Sequence, residues 1–182
     1  AGAQLLQLST DYVFAGQAVT PYPEDAAQDP RTAYGRTKAA GEWAVRAELP
    51  DRSWVLRTAW LYGWHGPSFV ATIRRLAAER DELRVVDDQH GQPTWTVDLA
   101  DRIVDVVEVD APAGTYHATN AGATTWHGLA QAVLQHAGDM STHVVPCTTQ
   151  EYPRPAPRPA WSVLGHTGWA QAGLPPMRPC DE

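Results

Sequence analysis

Cysteine is scarce in this sequence of 182 residues, which contains only Cys147 and Cys180. These two residues lie far apart and form no Cys-x-x-Cys pair, so we expect reduced thiols in a cytoplasmic protein and no disulfide framework. Long apolar runs are also missing, since none approaches the roughly 20 residues that cross a bilayer. No basic segment precedes Leu5 and Leu6, so the sequence predicts neither a membrane span nor a signal peptide.

Basic runs and metal-ligand spacings are absent too. The net charge is −7 at pH 7, and without a basic patch we expect no nucleic-acid partner. The seven histidines show no ligand spacing and the acidic residues form no matching cluster, so we assign no metal. The hydrophobic fraction of 43% is enough for a core, and the length suits one domain, or one domain with an appendage.

Lysine is the rarest basic residue, because Lys38 stands alone against 13 arginines among the 14 lysines and arginines. It follows Tyr34 by four positions, so on a helix the two side chains share one face. A nearby ammonium lowers the pKa of a phenol, which is about 10 for free tyrosine. Such a pair can supply a proton to a reaction, but it is also common on exposed helix surfaces. The pair alone leaves both interpretations open.

Apolar segments of strand length and helix length alternate along the chain. We predict strands at 4–8, 53–58, 83–86, 114–119 and 143–145, and helices at 30–49, 67–80, 97–108 and 125–137. This alternation favours an α/β fold with a largely parallel sheet. Prolines exclude regular structure over 153–159. We interpret that segment either as an interdomain linker or, because it carries Arg154 and Arg158, as a clamp for an anion.

Thr10 and Asp11 directly follow the first predicted strand. Ligands of open parallel sheets bind at the carboxyl ends of the strands. There, a hydroxyl can hydrogen-bond a substrate carbonyl and a carboxylate can bind sugar hydroxyls. The same residue types also cap ordinary turns, so these two residues by themselves leave a binding role and a capping role open.

Four stretches in this order resemble the extended short-chain dehydrogenase/reductases, and more closely the dTDP-4-dehydrorhamnose reductases. They are Ser9–Phe14, Tyr34–Glu42, Arg57–Gly63 and Asp88–Thr94, followed by the late Arg-Pro-Ala-Pro-Arg-Pro segment. Each stretch alone is a weak signal, but together and in this order they cover nearly the whole chain. The resemblance implies reduction of the C4 keto group of dTDP-4-dehydro-L-rhamnose to dTDP-L-rhamnose. NADPH is the implied cofactor, with NADH as the alternative.

The resemblance also implies roles for the catalytic residues Tyr34, Lys38 and Thr10. Tyr34 would protonate the sugar C4 oxygen as hydride arrives. Lys38 would hold the nicotinamide ribose and lower the pKa of Tyr34, so that both residues also bind the cofactor. Thr10 would hydrogen-bond the reacting oxygen. These roles fit the chemistry, since carbonyl reduction needs one acid and a polarising donor.

Four residues would bind substrate according to the same resemblance. Thr10 and Asp11 would contact the sugar and Trp60 would pack against it. Arg158, with Arg154 as a second candidate, would pair with the diphosphate in a bidentate manner. Trp60 could instead be a core aromatic, since the chain has eight tryptophans, and both arginines could be solvated loop residues.

Tyr12 distinguishes among the reactions of this superfamily. Sugar-nucleotide dehydratases place a glutamate directly after the Thr-Asp pair, whereas this chain has Tyr12. The resemblance therefore favours ketoreduction over dehydration. Two alternatives remain, a ketoreductase for another dTDP-4-keto-6-deoxysugar and a non-catalytic sugar-nucleotide-binding relative. The intact Tyr34 and Lys38 favour an enzyme, because non-catalytic relatives tend to lose them.

The glycine-rich cofactor turn of the superfamily has no counterpart in this sequence. No Gly-x-x-Gly-x-x-Gly occurs, the chain begins inside a predicted strand, and 179–182 resembles the first turn of a helix. We therefore expect a fragment, the C-terminal part of a Rossmann-like, parallel-sheet NAD(P)-binding fold plus a small substrate-binding subdomain. Residues 1–62 would be the remainder of the catalytic domain. Residues 63–182 would be mainly substrate-binding, with some returning Rossmann elements.

Missing strands would leave an exposed sheet edge. We also expect this chain by itself to bind NADPH poorly and to turn over little substrate. The expected partners are a dTDP-sugar and, as an alternative to a monomer, a second copy in a homodimer. No membrane partner is expected.

Overall fold

The structure is a computed structural model that describes residues 2–181. Its strands are β1 (Leu5–Thr10), β2 (Ser53–Thr58), β3 (Leu61–Tyr62), β4 (Glu82–Val86), β5 (His90–Gly91), β6 (Thr94–Trp95), β7 (Gly114–His117), β8 (Thr124–Thr125) and β9 (His143–Cys147). Its helices are α1 (Ala33–Glu48), α2 (Phe69–Ala77), α3 (Thr96–Glu108), α4 (Trp126–His136) and α5 (Gly168–Gln171), and a single 3-10 turn covers Asp11–Val13. The α/β prediction is confirmed.

The central sheet is parallel, with strand order β1-β2-β7. Every residue of β2 is buried, because a middle strand of a parallel sheet is covered on both faces. Helix α1 connects β1 to β2, and the register sets Thr10 beside Thr58 and Arg57 beside His117. The carboxyl ends of the strands therefore meet at one edge, where ligands of such sheets bind.

Within residues 2–181, buried hydrophobic residues form three clusters, the smallest of which joins Val13, Phe14 and Leu164. The first surrounds the central sheet and α3, with Trp54, Leu56, Leu99, Val106, Tyr116 and Trp169 among its buried members. The second lies between the β4–β9 pair and helices α2 and α4, with Ile73, Leu83, Val85, Ala130 and Leu134. Strand β7 and helix α3, both after residue 62, contribute to the first core. The division of the chain at residue 62 stays a prediction.

The observed elements match the predicted alternation but differ at their ends. Helix α1 begins at Ala33 rather than near 30, because the Thr32 hydroxyl caps it by accepting a hydrogen bond from the Gly35 amide at 3.0 Å. The predicted loop at 87–94 contains β5 and the start of β6, two short strands that pair with β8 and β3. Sequence periodicity cannot detect two-residue strands, since their pairing is non-local.

The helix expected from Pro179 is not formed within the described residues. Pro179 instead forms a β-bridge with Ala121, and the Cys180 amide donates to Ala121 O at 2.9 Å. Cys147 and Cys180 are both free thiols. Across residues 2–181, no helix has the length and apolar character needed to cross a bilayer.

Candidate active site

A cleft of about 550 Å³ opens at the carboxyl ends of β1 and β2. Its lining includes six residues that the sequence predicts to be catalytic or substrate-binding, namely Thr10, Asp11, Tyr34, Lys38, Trp60 and Arg158. They come from β1, the 3-10 turn, α1, the β2–β3 connection and the proline-rich segment. Arg154 lies outside this cleft and lines a neighbouring cavity of about 330 Å³ that shares Arg158 with it.

Tyr34 and Lys38 lie one turn apart at the start of α1 and face the cleft together. The Tyr34 side chain is 54% exposed, so its hydroxyl is open to a ligand. Lys38 Nζ donates to the carbonyl oxygen of Leu8 at 2.6 Å, which anchors the ammonium to β1. An ammonium has three N–H donors, so two others are available to a ligand in the cleft.

Thr10 and Asp11 form a buried polar pair at the end of β1. The Thr10 hydroxyl donates to Asp11 Oδ1 at 2.9 Å and also accepts from the Tyr12 amide at 3.3 Å, which caps the 3-10 turn. The capping role therefore applies to Thr10, which also lines the cleft, and its binding role stays a prediction. Burial raises the pKa of Asp11 to about 6, against the lowering effect of its hydrogen bonds, chiefly the one from Thr10.

Two buried side-chain oxygens next to the cleft, Asp11 Oδ2 and Thr58 Oγ1, have no hydrogen-bond partner of good geometry within residues 2–181. Both residues line the cleft, but these two atoms have almost no accessible surface. Ser162 lies near enough to lower the pKa of Asp11, although its hydroxyl donates to His90 O at 3.3 Å. Buried polar atoms are normally paired, so these two oxygens are exceptions behind the cleft lining.

Trp60 has an unusual backbone and a confined ring. Its φ is 47°, in the left-handed region that non-glycine residues rarely adopt. The indole stacks on Trp126 with ring centroids 3.5 Å apart. A Cβ added at Gly91 would lie 2.5 Å from the indole. Trp60 therefore packs closely against both Gly91 and Trp126 at the cleft wall. Sequence reasoning missed Trp126, because the two tryptophans are far apart in the chain.

Arg158 places the proline-rich segment against the cleft. Its guanidinium donates from NH1 to the Tyr12 hydroxyl at 2.9 Å, and Pro157 and Pro159 beside it line the same cleft. Arg154 packs over the ring of Tyr152, with its Cζ atom 4.5 Å from the ring centroid. The segment is irregular, as predicted, and it packs on the cleft rather than running free as a linker.

A buried ion pair joins α1 to β2 next to the cleft. Sequence reasoning assigned this pair no role. Glu42 and Arg57 have side chains that are 0% and 1% exposed and meet at 2.8 Å. Glu42 also accepts hydrogen bonds from Ser9 and Gln28. Such a pair is tolerated only when its remaining hydrogen bonds are satisfied. It ties α1 to β1 and β2. The sequence signal that could have revealed the pair is Arg57, which lies inside an otherwise apolar strand pattern. A buried arginine requires a partner.

His117 extends this network in its neutral form. Its Nε2 lies 3.3 Å from Arg57 NH1, and its Nδ1 lies 2.8 Å from Gly165 O. Because an arginine only donates, Nε2 must accept and the proton must be on Nδ1. Burial, followed by the charge of Arg57, lowers the pKa of His117 to about 3.

Comparison with known proteins identifies the family. The family model described as RmlD substrate binding domain matches residues 1–182. The chain is 54% identical over 181 residues to a dTDP-4-dehydrorhamnose reductase from Streptomyces griseus, covering 97% of this chain and 60% of that protein. It is 54% identical over 174 residues to a probable dTDP-4,6-dihydroxy-2-methyloxan-3-one 4-ketoreductase from Streptomyces antibioticus, covering 96% and 59%.

A solved structure gives the same result for the fold. The crystal structure of a dTDP-4-dehydrorhamnose reductase from Bacillus anthracis in complex with NADP superposes with a TM-score of 0.93 at 38% identity, covering 99% of this chain and 63% of that one. The chain thus spans about 60% of the length of the curated relatives it matches. By its full-length match and its close relatives, the chain belongs to the family of the RmlD substrate binding domain.

Proposed function

We propose that this chain is the catalytic and substrate-binding part of a reductase that converts dTDP-4-dehydro-L-rhamnose to dTDP-L-rhamnose with NADPH. The observation that carries the proposal is the convergence of Tyr34, Lys38 and Thr10, from two different elements, on one cleft. The names of the relatives support a dTDP-sugar substrate, and the NADP complex of a similar structure supports an NADP-type cofactor.

Tyr34 is the proton donor in this proposal. Reduction of a C4 carbonyl adds hydride to the carbon and a proton to the oxygen, and the exposed Tyr34 hydroxyl supplies that proton. Lys38 stabilises the phenolate left behind through the charge of its ammonium. The proton of Thr10 points to Asp11 in this structure. Rotation of the hydroxyl redirects it to the substrate oxygen, where it polarises the carbonyl.

The described residues fit the nicotinamide end of the cofactor only. Lys38 has N–H donors to spare beyond its bond to Leu8 O, which suits the hydroxyls of a ribose. When bound, NADPH supplies the hydride. A glycine-rich pyrophosphate turn is not among the 182 residues, so most of the cofactor would be held by other parts of a longer protein. NADH remains the alternative cofactor.

Substrate contacts in the proposal follow from the cleft wall. Thr10 and Asp11, which line the cleft at the end of β1, would contact the sugar. Trp60 would pack against the sugar ring, and Arg158 would bind the diphosphate. A ketoreductase for another dTDP-4-keto-6-deoxysugar is the second candidate, favoured by the similarity to the Streptomyces antibioticus protein. A cytoplasmic location, a homodimer and the absence of a metal stay predictions.

The replacement Tyr34→Phe in the full-length protein tests the function. It removes only the hydroxyl, so we expect the rate of NADPH-dependent ketoreduction to fall by about 100- to 10,000-fold, the usual contribution of a general acid. The matched control is Tyr62→Phe, which removes a hydroxyl outside the cleft and should leave the rate unchanged. A Tyr34→Phe protein that reduces the sugar at a near-normal rate contradicts the assignment.

A further inference from the structure

Tyr12 contacts three of the proposed site residues, although the proposed function gives Tyr12 itself no role. Its amide donates to Thr10 Oγ1 at 3.3 Å. Its ring meets the ring of Tyr34 edge-on, with centroids 5.8 Å apart and an interplanar angle of 75°. Its hydroxyl accepts from Arg158 NH1 at 2.9 Å. The Tyr12 side chain thus contacts both Tyr34, the proposed proton donor, and Arg158, the residue proposed to bind the diphosphate.

The main chain of Tyr12 is fixed by the start of α1. A Cβ added at Gly35 would lie 2.2 Å from the carbonyl oxygen of Tyr12, so the helix backbone packs directly against this peptide. Thr10 fixes the amide on the other side. The backbone of Tyr12 is thus held on both sides, and the contacts of its ring with Tyr34 and of its hydroxyl with Arg158 define the direction of the side chain.

The Tyr12–Arg158 contact also belongs to the lining of two cavities. One is the cleft of about 550 Å³, and the other is a smaller cavity of about 210 Å³. Both are lined by Tyr12 and Arg158 together with Pro157 and Pro159. Because the contact joins residues 146 positions apart, it holds the proline-rich segment to the end of β1 and fixes where the guanidinium lies.

We propose that Tyr12 is a positioning residue with two separable functions. Its ring orients Tyr34 for proton transfer, and its hydroxyl holds Arg158 in place for the diphosphate of a nucleotide-sugar substrate. The proposal rests on the function proposed above. It goes beyond the contrast between Tyr12 and the dehydratase glutamate, because it assigns Tyr12 a task of its own within ketoreduction.

The hydroxyl function is tested with Tyr12→Phe in the full-length protein. This variant keeps the ring and loses the bond to Arg158. We expect the KM for the dTDP-sugar to rise about ten-fold, since hydrogen bonds to charged groups contribute this much, while kcat stays within about two-fold. Binding of dTDP alone, measured by calorimetry, should weaken by the same factor. The double variant Tyr12→Phe/Arg158→Ala should bind dTDP no more weakly than Arg158→Ala.

The ring function is tested with Tyr12→Met, which fills a similar space without an aromatic edge. Relative to Tyr12→Phe, we expect kcat and the single-turnover rate of NADPH oxidation to fall a further three- to ten-fold or so, the value of an aromatic pair. Matched controls are Tyr62→Phe and Arg80→Ala, both outside the cleft. Thermal unfolding of each variant checks that it is folded.

The outcomes separate the two proposals. A Tyr12→Phe protein with unchanged KM and unchanged dTDP affinity overturns the hydroxyl function. Equal kcat values for Tyr12→Phe and Tyr12→Met overturn the ring function. If Tyr12→Met does not fold, Tyr12→Leu, which also lacks an aromatic edge, takes its place in the same comparison of kcat. If Tyr34→Phe is inactive while both Tyr12 variants behave as the parent, only the role of Tyr12 fails. If Tyr34→Phe stays active, the proposed function itself fails.

Discussion

Asp11 combines deep burial with a position in the cleft, and this combination has a consequence for stability. Its pKa is raised to about 6 by burial, whereas an unfolded chain has a value near 3.9. Between these pH values the folded protein holds a proton that the unfolded chain releases. The contribution of Asp11 to stability is therefore fully present below about pH 3.9 and is lost as the pH rises through about 6.

Replacing Asp11 with Asn should stabilise the full-length protein at neutral pH. The amide keeps an acceptor for Thr10 but carries no charge, so the variant should gain up to about 3 kcal/mol relative to the parent between pH 4 and pH 8. Denaturant unfolding at several pH values measures this gain. An informative control is Asp139→Asn, because hydrogen bonds from Ser141 lower the pKa of Asp139 to about 2. This variant should lose stability by an amount that stays constant between pH 4 and pH 8 and fades only as the pH falls below about 4. A gain for Asp11→Asn that does not vary with pH would contradict the burial argument.

Trp60 shows how one side chain depends on distant ones. Its left-handed backbone, with φ of 47°, costs free energy and persists only where surrounding contacts enforce it. Those contacts come from Gly91 on β5 and Trp126 on α4. From the sequence, Trp60 could be either a core aromatic or an aromatic that faces the substrate. The structure places this ring at the cleft wall, where a strained residue is most often functional.

Helix α1 is the element that brings the proposed catalytic pair to the cleft, and its start is set by close packing. Thr32 caps the helix, Gly35 fits against the carbonyl of Tyr12, and the Glu42–Arg57 pair fixes the helix to β2 two turns further on. The orientation of Tyr34 and Lys38 therefore depends on contacts along the first three turns of α1.

Two glycines of α1 should respond to alanine in opposite ways. At Gly35 a new Cβ would lie 2.2 Å from backbone at Tyr12, which cannot move aside, so Gly35→Ala should destabilise the protein by about 1–3 kcal/mol. At Gly41 the nearest atom would be the flexible end of Gln7, 3.6 Å away, so Gly41→Ala should stabilise by up to about 1 kcal/mol. Denaturant unfolding compares the two, and the same sign for both would show that propensity outweighs packing here.

The fold as a whole leaves one side of the central sheet open within residues 2–181. Strand β1 pairs only with β2 there, and Leu5 and Leu8 on β1 remain 38% and 40% exposed. The cleft holds the proposed proton donor, the lysine and the polar substrate contacts, but a glycine-rich turn for the pyrophosphate is not among these residues. In the proposed function, we therefore expect the chemistry and the cofactor affinity to depend on different parts of a longer chain.

The 182-residue chain by itself should bind NADPH weakly. Since the glycine-rich turn and the helix N-terminus that cradle a pyrophosphate supply much of the binding energy, we expect no saturation at micromolar cofactor. A titration that follows NADPH fluorescence measures this, with the full-length protein as the positive control. Micromolar affinity of the 182 residues would contradict the prediction.

Local sequence determined the main elements and the position of one proposed catalytic pair. Periodicity located the main strands and helices, because burial of one face repeats every two or every 3.6 residues. The four-residue interval alone placed Tyr34 and Lys38 on one face of α1. The order of the motifs also carried the family resemblance. The ends of elements were less accurate, as at Ala33 and Pro179, because caps and bridges decide them.

Packing between distant segments determined the rest. The Tyr12–Arg158 contact joins residues 146 positions apart, and the Trp60–Trp126 stack and the His117–Gly165 bond are likewise non-local. The burial that raises the pKa of Asp11 also comes from the assembled fold. No local pattern encodes such contacts, since they depend on how sheets, helices and loops pack together. The sequence thus identified the chemical groups, and the folded chain placed them around one cleft.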